Sequence, residues 1–160
     1  MNKEKDSFYE KQRQYNIKQK EMFHKWFQEA LEDESLFIEI VKFVGREWSV
    51  LRSVKKGKID EFCKNLWKNR KKIQSGKYEW NKSDYNAYSY ESKICFLIKP
   101  ECYKLIYDGN VRKALNNTTK DNWQKEANDR VKCYYKTEKI SAKQAFEIDW
   151  VLWLEGYKNK

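Results

Sequence analysis

Lys93 and Asp108 are the two side chains whose type and setting could carry chemistry. Lys93 falls in Glu91-Ser92-Lys93-Ile94-Cys95-Phe96-Leu97-Ile98, which reads as the first turn of a short apolar helix that must end near Pro100. Fifteen positions on, Asp108 precedes Gly109-Asn110-Val111-Arg112, where a helix N-cap belongs. An amine among apolar side chains has its charged form disfavoured, so its pKa falls and it becomes a nucleophile near neutral pH. A neighbouring carboxylate can move a proton and stabilise a developing cation. The plainer roles are a surface lysine and a cap worth about 1 kcal/mol, and the residues alone leave them open.

The elements that must position this pair are helices. Apolar residues recur at helical spacing throughout, and the chain has one Pro, five Gly and no Asn-Gly hairpin pair. Residues 5–31 form a polar helix whose apolar positions thicken toward its end. Asp33 or Ser35 caps a second helix carrying Phe37, Ile40, Val41, Val44, Trp48 and Leu51, closed by Gly57. A third helix runs over 58–74. Residues 75–90 are polar and aromatic and read as a loop with at most a short helical turn. Breaks near Pro100 and at Asn116–Thr119 separate shorter helices, and Ser141 caps a last one ending in Trp150, Trp153 and Gly156. The expected fold is all-α: a single compact bundle of about six to seven helices over 1–160, with 1–20 a peripheral or partly mobile helix.

The net charge is +10, with 40% hydrophobic and 16% aromatic residues, a folded composition. From Arg52 to Lys82, eleven Lys/Arg stand against three acids, a local +8. Such a run attracts phosphates, although a solvated face or an acidic protein partner would account for it too. The expected nucleic-acid contacts are Arg52, Lys55, Lys56, Lys58, Lys68, Arg70, Lys71, Lys72, Lys77 and Lys82, joined by Arg112 one turn beyond Asp108. Trp80, Tyr85, Tyr88 and Tyr90, interleaved with lysines, are candidates for stacking on bases, with packing in the core or loop as their plainer role. The four cysteines (63, 95, 102, 133) show no CxxC spacing, so free thiols are expected, with no metal and no cofactor. No apolar run reaches membrane-spanning length, and the first residues hold no signal-peptide core; a cytoplasmic protein without membrane contact is expected.

The stretch 91–116, ESKICFLIKPECYKLIYDGNVRKALN, resembles the helix-hairpin-helix DNA glycosylase superfamily of endonuclease III and 8-oxoguanine glycosylase. Ser92-Lys93-Ile94 stands where that superfamily has its catalytic-lysine context, and Ile106-Tyr107-Asp108-Gly109-Asn110-Val111 looks like its aspartate context. The resemblance implies a helix-hairpin-helix-like fold, binding to duplex DNA and excision of a flipped base. Lys93 would be the nucleophile and Asp108 the acid–base and electrostatic partner. The hairpin glycines of the superfamily are missing: Ala87-Tyr88-Ser89-Tyr90-Glu91 takes their place, and Glu91 would repel a phosphate there. The iron–sulfur cysteines are missing as well. Two other readings stay open: a non-enzymatic DNA-binding relative, and a small basic inhibitor or adaptor of the mobile-element or phage type that occupies a nuclease or another acidic protein.

Overall fold

The computed structural model describes residues 3–159, and their side chains from residue 7. Helix α1 (Lys3–Ala30) packs its C-terminal half inward through Phe23, Phe27 and Ala30. Asp33 then caps α2 (Glu34–Glu47) by accepting from Leu36 N at 3.0 Å. The stripe Phe37, Ile40, Val41 and Val44 is buried, as its spacing predicts.

α2 stops at Glu47, short of the Trp48 and Leu51 that the periodicity would include. Ser49 takes a left-handed φ of 54°, and the chain turns into a 3-10 segment, Leu51–Ser53. Trp48 is held toward α1 instead, its indole N–H donating to Gln19 Oε1 at 2.7 Å. α3 (Ile59–Gln74) buries Phe62, Cys63, Leu66 and Ile73 and leaves Lys64, Lys68, Lys71 and Lys72 in solvent.

α4 (Tyr88–Ile98) is the central helix, with every residue from Tyr90 to Ile98 buried. It begins three residues inside the segment expected to be a loop, which places Lys93 in its second turn rather than its first. Side-chain packing accounts for the early start. The Tyr90 hydroxyl donates to Val41 O, its ring lies 4.9 Å from that of Phe62, and Gly45 of α2 supplies the room. Residues before α4 keep an irregular path with one 3-10 turn, Trp80–Lys82.

Pro100 ends α4 as expected and also opens α5 (Pro100–Tyr103) from its first position, where a missing N–H is harmless. Asp108 caps α6 (Gly109–Ala114), accepting from Asn110 N and Val111 N at 3.0 Å each. α7 (Trp123–Tyr135) leads to α8 (Ala142–Lys158), whose Ser141–Gln144 capping box fixes its start. α8 packs on α6 and α1, so the two ends of the chain close over the α4–α6 segment. Among the described residues there is no strand, and no helix is long and apolar enough to cross a membrane. The fold is an all-α bundle.

Candidate functional site

Lys93 and Asp108 line one cavity of about 540 Å³. α1 contributes Tyr9, Tyr15, Asn16 and Lys20, the turn after α2 contributes Trp48, and α8 contributes Asp149, Trp150 and Trp153. The aromatic wall on α8 is ordered: Trp150 and Trp153 stack at 5.3 Å and 14°, and Trp153 and Tyr157 at 5.3 Å and 8°. Spacings of three and four residues put these rings on one helix face.

The polar floor holds two lysines and two aspartates in contrasting states. Lys20 Nζ lies 2.6 Å from Asp149 Oδ2, and both side chains are almost wholly buried. Lys93 donates to Ser89 Oγ at 3.1 Å and forms no ion pair among the described residues. Burial pushes the Lys93 amine below the usual lysine value; Asp108 and Asp149 pull it back upward, and Lys20 adds to the depression. Asp108 is raised above the usual aspartate value, chiefly by burial, while Lys93 and the capping N–H groups oppose the rise and Asp149 adds to it.

Three successive N–H groups lead into Asp108. Ile106 N donates to Asp149 Oδ1 at 2.8 Å, Tyr107 N to Ser92 Oγ at 3.1 Å, and Asp108 N to Ile106 O at 2.9 Å. The segment is thereby strung between α8 and the residue next to Lys93. On the α1 side, the Asn16 Oδ1 atom is shut away from solvent and has no hydrogen-bond partner.

Other expected contacts lie elsewhere. Trp80 and Tyr90 are buried, Trp80 against Tyr107 and Tyr90 in the core, so neither offers a face for stacking. Tyr85 packs edge-on against Phe62, and the Tyr88 ring lies under Lys120, whose Nζ donates to its hydroxyl. The aromatic rings at the cavity come from α1, Trp48 and α8 instead. Glu91 faces the core rather than a phosphate: it accepts from Tyr78 OH at 2.9 Å, and burial pushes its carboxyl up to about 7.

The basic run does not line the cavity. Arg70 is stacked on Trp67 and donates to Leu31 O at 2.7 Å, while Lys58 and Lys82 are paired with Glu61 and Glu79. Arg112 lies over Tyr107 and donates to Thr118 O. Lys68, Lys71, Lys72 and Lys77 are exposed around α3. Arg52, Lys55 and Lys56 surround a separate hollow, lined also by Gly45, Arg46 and Ser49.

The sequence alone gives no role to Lys20, Asn16 or Asp149, and marks Ser92 only as the neighbour of Lys93. The signal available was weak: a lysine in a charged helix and an aspartate flanked by apolar residues, Ile148-Asp149-Trp150. No family model, curated protein or solved structure matches the chain. Among the described residues there is also no group of three or more His, Cys, Asp or Glu that could hold a metal.

Proposed function

We propose that the chain binds DNA and processes a flipped nucleotide in the α1–α4–α8 cavity, with Lys93 as nucleophile and Asp108 as its acid–base and electrostatic partner. The observation that carries this reading is the buried, unpaired Lys93 amine sharing a hollow with the Asp108 carboxylate. The resemblance of residues 91–116 to helix-hairpin-helix glycosylases points the same way. The neutral amine would attack the sugar C1′, forming a C–N bond as the glycosidic bond breaks and its electron pair leaves on the base nitrogen. The departing base takes up a proton, and loss of the amine proton with opening of the sugar ring gives an imine. Asp108 is suited to stabilise the cationic sugar and to move that proton.

The aromatic walls suit a base turned out of the duplex. Arg52, Lys55 and Lys56 surround a separate hollow, where they would meet the phosphate backbone.

The test is borohydride trapping on a duplex carrying one abasic site. A covalent adduct is expected with the wild-type chain, and Lys93→Gln should remove it. Absence of an adduct across pH 6–9 would leave the enzyme reading without its nucleophile. A salt titration of duplex binding accompanies it: affinity should fall with a slope of about −0.9 per neutralised phosphate. No binding at low salt would favour the acidic protein partner.

A further inference from the structure

We propose that Lys20 and Asp149 are the positioning residues of this cavity: their buried contact ties the first and last helices to the Ile106–Asp108 segment and sets the distance between the Asp108 carboxylate and the Lys93 amine. The proposal rests on the catalytic reading of Lys93 and Asp108 for its functional meaning, but its geometry stands alone.

Both oxygens of Asp149 are committed. Oδ2 holds Lys20 at 2.6 Å, across 129 positions of sequence, and Oδ1 accepts the Ile106 N–H at 2.8 Å. The next N–H, from Tyr107, goes to Ser92, the neighbour of Lys93. The backbone that ends in Asp108 is therefore pinned on one side by the ion pair and on the other by the helix that carries the amine. Asp108 in turn spends one oxygen, Oδ1, on the two capping N–H groups of α6, so its carboxylate cannot swing without uncapping that helix.

A buried ion pair is a poor way to gain stability, because an apolar replacement of similar volume often does as well or better. Its use at the floor of a cavity fits a positional task. The pair also sets the field at Lys93. The charged groups facing that amine are Lys20 from α1, Asp108 ahead of α6 and Asp149 from α8, and the Tyr9 and Tyr15 phenols lie on the same wall. Lys20 disfavours protonation of Lys93 and Asp149 favours it.

The test uses the full chain and three variants: Lys20→Met, Asp149→Asn and the double variant. Two readouts are followed against pH. One is borohydride trapping on the abasic duplex. The other is reductive methylation of Lys93 by formaldehyde and cyanoborohydride, located by peptide mass, which needs no DNA activity. Lys20→Met should move the midpoint of both curves up by about one pH unit and Asp149→Asn should move it down. The double variant keeps an acceptor for Ile106 N–H and removes the charges, so it should fold with a melting temperature near that of the parent. Its trapping rate should nonetheless fall at least about tenfold, as expected when a reacting group is displaced.

A double variant that traps as fast as the parent, or single variants whose methylation midpoints do not move, would overturn the proposal. If the wild-type chain forms no adduct while the methylation midpoints shift in opposite directions, the glycosylase-type reading fails, the pair's electrostatic hold on Lys93 stands, and its positioning role is overturned with the reaction it was to serve. Where a single variant does not fold, the double variant decides.

Discussion

Gly156 of α8 rests against the backbone carbonyl of Asn110 in α6, so closely that a Cβ at position 156 would collide with Asn110 O. Asn110 is the second residue of the helix that Asp108 caps. The contact therefore seats the last helix on the element that orients one half of the candidate site. Gly156→Ala should destabilise the fold by roughly 1–3 kcal/mol, because the clash is with backbone and cannot be relieved by turning a side chain. Gly109→Ala is the matched control one residue after the cap: nothing lies within 4 Å of a Cβ there, and its melting temperature should match or exceed that of the parent. Equal melting temperatures for the two variants would show that α8 does not sit on α6 in this way.

Glu91 makes the bundle sensitive to pH. Its carboxyl is fully buried, accepts from Tyr78 OH, and is pushed up to about 7 by loss of solvent. The folded value lies above the ordinary glutamate value of 4.5, so the folded state holds this proton more tightly than the unfolded chain does. Stability from this residue is full below about pH 4.5 and is lost as pH rises toward 7; above that the cost levels off near 3 kcal/mol. Glu91→Gln keeps the acceptor for Tyr78 and removes the titration. Chemical denaturation should find the variant more stable than the parent at pH 8 and nearly equal to it at pH 4.5. A constant difference between the two pH values would contradict this assignment.

Tyr90 shows where aromatic side chains do structural work in this chain. Its hydroxyl donates to Val41 O at 2.5 Å from within the core, and its ring lies 4.9 Å from that of Phe62. Tyr90→Phe should cost about 1 kcal/mol, the net worth of a buried hydrogen bond. Tyr90→Ala should cost about 3–5 kcal/mol. If removing the ring costs no more than removing the hydroxyl, Tyr90 is not a core residue.

The helical bundle was legible because amphipathic spacing and capping residues are local. The Phe37–Val44 stripe, Asp33, Asp108 and Ser141 all do in the structure what their neighbours in sequence imply. The start of α4 is not legible, because Tyr88, Ser89 and Tyr90 have no apolar period of their own; contacts with α2 and α3, dozens of residues away, make them helical. The cavity was legible only in part. Lys93 and Asp108 stand in a compact stretch of chain, whereas Lys20 and Asp149 meet only because the ends of the chain close over α4. The basic run from 52 to 82 is conspicuous in sequence; in the structure Arg70, Lys58 and Lys82 have partners on the protein, while Lys68, Lys71, Lys72 and Lys77 are exposed.

On the proposed reading, Asp108 has two roles that substitution can separate. As an N-cap it accepts from Asn110 N and Val111 N, a task that asparagine performs about as well. As a carboxylate facing Lys93 it has no neutral substitute. Asp108→Asn should therefore melt within a few degrees of the parent, and Asp108→Ala should lose about 1 kcal/mol through the open cap. Both variants should lose the borohydride-trapped adduct by at least about a hundredfold, the usual scale of a general acid–base contribution. Removal of the carboxylate also takes away one of the two anions that favour a charged Lys93, so methylation of that amine should begin at lower pH in Asp108→Asn. Loss of adduct that tracked melting temperature, with asparagine fully active and alanine not, would reduce Asp108 to a cap and leave Lys93 without a partner in the reaction.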